Sequence, residues 1–485
     1  MLDTALVLVA HGSHYNMASS EPARRHADRL RALGRWDQVV CACWKEFPSL
    51  RDVRWLVDAE LTVVIPLFMA EGYFSQRVVP RELELDGPLT VRDGRRIQYT
   101  GVVGAHPRLA DVTSRLAEHA LGPAGPRPAE TALVVVGHGT VQDRRSKETV
   151  LAVVERLRGH GWAEVTAAFL EEPPLVADVP RLVHAEQIVA VPLFVANGYH
   201  TTEDIPRDLG LGRGPRGWRN PSVVSGRRVW CTGAVGADPG LVDVIAELAD
   251  DGREPPRPVQ VTLPAWAKAF LASLPGDRAT VLDQVLITPT QGGWDLRHVA
   301  DAGAGVAPVA DLLALVRTSG QGGYRNLPSA PDLVRGWCFT AVDDRALVAA
   351  LETLYPAALA LCRAEQQGDL PVVDWPQLAR RQTGWQGLVK RLASADVQAA
   401  ALVVCRDERC LRRVLWRVAD EPAPGGSGAV PCAEPCSLFL AFAQRIARLR
   451  RGEPSGGGAD PRWREWLAWV GVEDVGGNTV EPEPE

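Results

Sequence analysis

The chain has 485 residues, more than one ordinary hydrophobic core can organise, which predicts about three domains at roughly 150 residues each. Apolar residues make up 46% and charged residues 23%, the balance of a folded protein and not of a disordered one. The net charge of −6 argues against a nucleic-acid-binding surface, and no apolar run is long enough to span a membrane. The N-terminus has no basic leader, so we expect a cytoplasmic protein whose nine cysteines are reduced thiols or metal ligands.

An internal repeat is the most informative feature of the sequence. Four segments recur in the same order at offsets of 125 to 132 residues: 5–13 with 132–140, 43–50 with 168–175, 65–83 with 191–209, and 101–109 with 233–241. This period is too long for a solenoid and indicates two copies of one domain.

Strand and helix patterns alternate within the first copy. Apolar, strand-like runs cover 5–10, 39–43, 61–68 and 97–103, and helical patterns cover 20–33, 50–59 and 107–120. Continuous apolar strands alternating with helices predict a parallel sheet covered on both faces, so each copy should be a doubly wound α/β lobe. Ligands of such sheets bind beyond the carboxyl ends of the strands.

Domain boundaries follow from the Pro- and Gly-rich stretches at 121–130 and 250–258. Beyond them we expect an α+β extension, with strands at 281–289 and 336–342 and a helix over 346–364, followed by a cysteine-rich segment with a disordered tail. The predicted domains are a first lobe at 1–125, a second lobe at 126–255, an accessory domain at 256–395 and a cluster module at 396–485.

Two histidines of the second copy are candidate metal ligands. His138 follows the first strand and His200 the third, and the fold should bring both to one edge of the sheet. Glu171 follows the second strand and could accept protons, while Asp204 could orient an imidazole. Spacing alone leaves a second interpretation open, in which both histidines only bind loop backbone at the strand ends.

The motifs around these residues resemble a known family. They are similar to motifs of the class II tetrapyrrole chelatases, above all the sirohydrochlorin cobaltochelatases and ferrochelatases of cobalamin and sirohaem biosynthesis. The motifs that carry the resemblance are HGS at 11–13, HGT at 138–140, PLF…GYH…DIP over 192–206 and Gly-Ala-x-Pro after the fourth strand. The resemblance covers 1–250. It implies that His138 and His200 bind the metal, that Glu171 assists, and that a divalent metal (Co2+ favoured, otherwise Fe2+) enters sirohydrochlorin or a related tetrapyrrole.

The first copy departs from this pattern. His11 matches His138 and Glu46 matches Glu171, but Phe74 stands where the second copy has His200. Phenylalanine cannot bind a metal, so the first lobe should lack an independent site. His11 and Glu46 either face the substrate from a shared cleft or are structural residues left by the duplication.

Basic residues near the second site suit an anionic substrate. Sirohydrochlorin carries eight carboxylates, and Arg144, Arg145 and Arg207 lie next to the two histidine motifs. The alternative is that each is a solvated charge at the start of a helix.

Four cysteines lie within 32 residues, as C-x4-C and C-x3-C pairs separated by 21 residues: Cys405, Cys410, Cys432 and Cys436. Zinc sites more often have C-x2-C pairs, whereas iron–sulfur clusters accept more varied spacing. The segments 287–301, 405–410 and 431–436 also resemble the extension of some two-lobed chelatases, a stabilising domain followed by an iron–sulfur module. The resemblance implies a cluster on these cysteines, with [4Fe–4S] favoured over [2Fe–2S].

The sequence therefore predicts a chelatase of the lyase class that binds an anionic tetrapyrrole and has an electron donor or acceptor, but no nucleic-acid or membrane partner. Two other functions stay open: an iron–sulfur electron-transfer or reductase protein that binds tetrapyrroles, and a metal-delivery protein without turnover.

Overall fold

The computed structural model describes residues 2–13, 17–139, 144–215, 217–250, 262–317, 330–370, 394–405, 410–415, 436–453 and 467. The chain divides into two compact units. The first unit comprises 1–13, 17–53 and 57–264, and the second comprises 14–16, 54–56 and 265–485. Apart from 14–16 and 54–56, both copies of the repeat lie in the first unit, and we call them the first lobe and the second lobe.

The first lobe is built on a five-stranded sheet in the order β2-β1-β3-β5-β4, in which only the β4–β5 pair is antiparallel. Its strands are β1 (Leu2–Ala10), β2 (Gln38–Cys43), β3 (Ala59–Pro66), β4 (Leu89–Arg92) and β5 (Arg95–Tyr99). Its helices are α1 (Glu21–Leu33), α2 (Val53–Leu56), α3 (Val79–Glu82) and α4 (Leu109–Leu121). The central strand β1 is fully buried from Ala5 to Val9, as expected of a strand with parallel neighbours on both sides.

The second lobe repeats this arrangement, with the order β7-β6-β8-β12-β11. Its sheet strands are β6 (Thr131–Gly137), β7 (Glu164–Phe169), β8 (Gln187–Pro192), β11 (Ser222–Val224) and β12 (Arg227–Cys231). Its helices are α5 (Arg144–Leu157), α6 (Val179–Leu182), α7 (Ile205–Asp208) and α8 (Leu241–Asp250). A separate two-stranded hairpin, β9 (Arg213–Gly214) and β10 (Gly217–Trp218), is inserted before β11.

The last helix of each lobe packs on the other lobe. Helix α4 of the first lobe lies against α5, β8 and β12, and helix α8 of the second lobe lies against α1 and β3. Polar contacts stabilise the packing of each of these helices on the other lobe. The Trp162 indole donates to Ser114 of α4 at 3.0 Å, and Arg35 pairs with Asp250 of α8. The two lobes thus share one continuous hydrophobic core.

The second unit contains a five-stranded sheet in the order β13-β14-β15-β17-β16. Its strands are β13 (Thr280–Leu282), β14 (Val285–Thr290), β15 (Gly293–His298), β16 (Ala307–Pro308) and β17 (Trp337–Ala341). Its helices are α9 (Ala265–Ser273), α10 (Leu312–Arg317), α11 (Asp344–Leu354), α12 (Ala358–Gln366), α13 (Ser394–Cys405) and α14 (Ser437–Leu449). Among the described residues no single helix is long and apolar enough to cross a membrane, although α11 and α12 would pass that test together as a pair bent by 94°.

The α/β class with two parallel-sheet lobes is confirmed, and three local predictions need correction. The helix predicted over 50–59 ends at Leu56, because β3 already begins at Ala59. The helix predicted over 346–364 is two helices, broken where Ala357 adopts a left-handed φ of 64°. The strand predicted over 281–289 is two antiparallel strands, β13 and β14, separated by a turn at Asp283 with a left-handed φ of 49°. The short antiparallel edge strands β4 and β11 were not predicted.

Candidate metal-binding site

Three polar side chains meet at the carboxyl edge of the second-lobe sheet. Strand β6 lies between β7 and β8, so the loops after these strands are neighbours. They carry His138, Glu171 and His200. The two imidazole rings are 5.0 Å apart between centroids and nearly perpendicular, and Nε2 of His138 is 3.8 Å from Oε1 of Glu171. The three side chains are 37%, 54% and 49% exposed, which leaves them accessible to a ligand. The structure thus brings together the three residues singled out in the sequence.

The backbone around His138 fixes its position. Nδ1 of His138 lies 3.2 Å from the carbonyl of Gly139, and the amide of Glu171 donates to the carbonyl of His138 at 3.1 Å. Gly139 has a left-handed φ of 66°, and a Cβ at this position would lie only 2.8 Å from Glu172 Cγ. Glycine is therefore required for the strand to turn here without moving the histidine.

His200 is held by a carboxylate. It begins a single turn of π-helix, His200–Asp204, and its Nδ1 lies 2.7 Å from Oδ2 of Asp204. The other oxygen of Asp204 pairs with Arg207 at 2.9 Å. With Nδ1 engaged, Nε2 is the nitrogen that can bind a metal. A carboxylate in this position orients an imidazole and fixes which ring nitrogen is free to bind a metal.

The three arginines predicted to face a substrate have different surroundings. Arg207 pairs with Asp208 and Asp204, and these two carboxylates raise its pKa further. Arg145 donates to Oε1 of Gln76 at 2.6 Å and so links the two lobes beside the site. Arg144 is the first residue of α5, and its side chain lies outside the described part of the chain.

Aromatic rings occupy the matching place in the first lobe. Phe74 begins an equivalent π-helix, Phe74–Val78, and its ring lies 4.5 Å from that of His11 and 4.7 Å from that of Trp44. Burial lowers the pKa of His11, so its ring is neutral within this cluster. Lys45 follows Trp44 in the loop after β2 and lies 5.0 Å above its ring.

The alignment of Glu46 with Glu171 is wrong by one residue. Glu46 Cγ lies 2.9 Å from the Cβ position of Gly12, as Glu172 lies beside Gly139, so Glu46 corresponds to Glu172. The Glu46 side chain is fully buried, accepts from the Ser13 amide at 2.8 Å and pairs with Arg24 at 3.1 Å. Of the two roles left open for Glu46, these contacts support the structural one, because its carboxylate is enclosed by these partners.

Two features near the site were missed. Phe194 lies 6.3 Å from both the His138 and the His200 ring, and the β9–β10 hairpin contacts the helix of His200. The sequence held a signal for the hairpin, since the repeat offset rises from 126 to 132 between the third and fourth matches.

Within the described ranges, no three His, Cys, Asp or Glu side chains are close enough to enclose a metal ion. The pair of histidines with Glu171 nearby is an open arrangement. Imidazole nitrogen binds cobalt, iron and nickel, and an incomplete ligand set suits an ion that is to be passed on.

The cysteine module fits an iron–sulfur cluster by the chemistry of its donors. Helices α13 and α14 pack together, and Arg450, just after α14, pairs with Asp396 in the first turn of α13 at 3.0 Å. The helices are therefore antiparallel, which puts Cys405 at the end of α13 and Cys436 at the start of α14 on the same end of the pair.

Of the other two predicted cluster ligands, the structure describes one. Cys410 follows α13 by five residues, and Cys432 lies outside the described residues. Arg412 and Arg413 are buried directly after Cys410, and buried guanidinium groups suit the negative charge of a thiolate-bound cluster.

Comparison with known families divides the chain into three parts. Residues 5–120 and 132–251 match CbiX, residues 267–366 match the DR2241 stabilising domain, and residues 367–445 match the 4Fe-4S iron-sulfur cluster binding domain.

Individual relatives agree with these matches. The probable sirohydrochlorin cobaltochelatase of Halobacterium salinarum is 40% identical over 270 residues, which cover 52% of this chain and 92% of that protein. The sirohydrochlorin cobaltochelatase of Methanocaldococcus jannaschii is 38% identical over 85 residues, 16% of this chain and 59% of that protein. The crystal structure of DR2241 from Deinococcus radiodurans, described as a multi-domain protein with structural similarity to chelatases and two additional novel domains, has a TM-score of 0.75 at 30% identity and covers 92% of this chain and 99% of that one.

Proposed function

The chain belongs to the CbiX family of chelatases, and on that premise we propose that it inserts a divalent metal ion, with Co2+ favoured, into sirohydrochlorin or a closely related tetrapyrrole. The observation that carries the proposal is the placement of His138, His200 and Glu171 at one accessible edge of the second lobe. Cobalt is favoured over iron because both curated relatives described above are sirohydrochlorin cobaltochelatases by name.

Metal insertion replaces two pyrrole N–H protons by one divalent ion, so the site must hold the metal and remove two protons. His138 and His200 would bind the ion from one side, leaving its other coordination positions for the pyrrole nitrogens. Glu171, 3.8 Å from His138, is a carboxylate at this edge that could take a proton as the nitrogens bind. The products are the metallated tetrapyrrole and two protons, and no nucleotide is required.

The second lobe would carry the reaction alone. The first lobe has the rings of Phe74, Trp44 and His11 where a second metal site would need ligands. A tetrapyrrole bound between the two edges would then meet the metal on one face only. The guanidinium of Arg145, beside the site, supports an anionic substrate, whereas Lys147 is already paired with Glu172 at 3.0 Å.

The C-terminal module would hold a [4Fe–4S] cluster on Cys405, Cys410, Cys432 and Cys436, in agreement with the family match at 367–445. Such a cluster, when bound, takes up or releases one electron. This favours an electron donor or acceptor as a second partner of the chain.

An anaerobic insertion assay tests the proposal. The full-length protein is incubated with sirohydrochlorin and Co2+ or Fe2+, and metallation is followed by the absorbance of the macrocycle. We expect His138→Ala to remove most of the activity. His184→Ala is a matched control, because His184 lies just before β8, away from the carboxyl edge, and its side chain is 98% exposed. Activity of His138→Ala equal to that of the control would refute the site, and binding of sirohydrochlorin without any metallation by the native protein would favour a binding or delivery role.

A further inference from the structure

The second lobe contains a hairpin that the first lobe lacks. Leu83 and Leu209 directly follow equivalent helices, α3 and α7. Asp93 and Ser225 lie in equivalent tight turns, and each has a φ of 49°. Ten positions separate the first-lobe pair and sixteen the second-lobe pair. The six additional residues form the β9–β10 hairpin, which is closed by the amide of Arg219 on the carbonyl of Gly212 at 2.7 Å.

The hairpin contacts the π-helix that begins at His200. The indole Nε1 of Trp218 donates to the carbonyl of Thr202 at 2.8 Å, and Arg213 pairs with Glu203 at 2.8 Å. The guanidinium of Arg213 also lies 4.8 Å above the ring of Trp218, so the two contacts support each other.

The indole contact adds a hydrogen bond to this turn from outside the helix. The residue four positions after Thr202 is Pro206, which has no N–H, so an i+4 backbone bond to the Thr202 carbonyl cannot form. Trp218 provides an N–H to this carbonyl from outside the helix. In the first lobe the residue equivalent to Thr202 is Gln76, the described segment between α3 and β4 has no counterpart of the β9–β10 hairpin, and the π-helix begins with Phe74.

We propose that the β9–β10 hairpin is a brace that sets the position of His200 for metal binding, with Trp218 and Arg213 as positioning residues. The inference rests on the proposed function. His200 is half exposed, so little packing of its own fixes the ring. The position of the His200 ring depends on Asp204 within the same turn and on the contacts that hold this turn to the rest of the lobe. The brace acts on Thr202 and Glu203, which lie between His200 and Asp204.

Cobalt titration of the full-length protein without tetrapyrrole tests the brace, because it reads the metal site separately from turnover. Bound Co2+ is followed by its visible absorption. Trp218→Phe keeps the ring but removes the indole donor, and we expect the Kd for Co2+ to rise on the order of tenfold, as for other residues that orient metal ligands. Trp294→Phe is the matched control, since its indole donates to Asp344 at 2.9 Å in the second unit.

Two further measurements separate positioning from a general loss of structure. In a His200→Ala background, Trp218→Phe should have no additional effect on cobalt affinity, because the ligand that it positions is gone. Arg213→Met should weaken cobalt binding in the same direction as Trp218→Phe, with an unchanged Tm. Native cobalt affinity in both Trp218→Phe and Arg213→Met would overturn the brace alone, whereas failure of the native protein to bind Co2+ would overturn the metal site and the brace together.

Discussion

A buried histidine between the lobes should make the stability of the chain depend on pH. His26 of α1 is fully buried, and its Nε2 lies 2.8 Å from the carbonyl of Gly236 in the second lobe. Because a carbonyl only accepts, Nε2 carries the proton. Nδ1 is buried without a hydrogen-bond partner among the described residues, so a second proton would place a charge there. Burial, and to a lesser extent Arg29, lowers the pKa of His26 to about 4.

The sign and size of the effect follow from linkage. The pKa of His26 in the folded protein lies below the value of about 6.5 expected in the unfolded chain, so the unfolded state binds more protons in the acid range. The free energy of unfolding therefore falls as the pH falls from about 6.5 to about 4. The full contribution is about 3 kcal/mol, of which about 2.5 kcal/mol is lost between pH 7.5 and pH 4.5.

Urea denaturation of the native protein and of His26→Gln at these two pH values checks this prediction. Glutamine can still donate to the Gly236 carbonyl but does not titrate. We expect the free energy of unfolding of the native protein to fall by about 2.5 kcal/mol more than that of the variant. Equal pH dependence in the two proteins would show that His26 does not remain neutral in the folded state, and the reasoning from its burial would be refuted.

Three other predictions concern the two lobes and the cluster module. His138→Ala should abolish most cobalt insertion while His11→Ala retains it, because His11 packs against aromatic rings and Phe74 stands where the second lobe has His200. Equal losses in initial rates would mean that both edges serve one reaction. Cys405→Ser and Cys436→Ser should each bleach the visible absorption of anaerobically purified protein. Helix α14 should remain helical in the Cys436→Ser variant, because serine also caps helices. A variant that stays brown would exclude its cysteine as a ligand. Glu46→Gln should lower the free energy of unfolding by on the order of 3 kcal/mol, because Arg24 would lose its buried carboxylate partner. Cobalt affinity should not change. Weaker cobalt binding at unchanged stability would contradict the structural role of Glu46.

The arrangement of the candidate site was accessible from the sequence because it depends on topology. Neighbouring parallel strands end at one edge, so His138, Glu171 and His200 had to lie near one another once the strands were recognised. The equivalence of Glu46 was not accessible, because the second copy has two consecutive glutamates and either one gives an acceptable alignment. Contact with Gly139, a three-dimensional property, distinguishes Glu172 from Glu171.

The helix exchange was hidden for a different reason. The apolar stripe on α4 has the same spacing whichever sheet it covers, so the periodicity of 109–121 predicts burial but not the partner. The contacts of Trp218 were equally inaccessible, since a tryptophan in a Gly-rich insertion gives no sign of which carbonyl it will meet.

The exchanged helices make the duplicated halves mutually dependent for folding. A fragment cut in the linker at 122–130 would keep α4 but lose the α5, β8 and β12 surface on which α4 packs, and its own sheet would lack the cover that α8 provides. Each half therefore contains a complete set of strands but depends on the other half to cover part of its hydrophobic surface. Two identical halves could satisfy both surfaces by exchanging their last helices, and the full chain contains the same two packing surfaces within one covalent chain. Because the two halves are covalently joined, each can acquire its own substitutions, so one edge could lose its ligands while the other kept them.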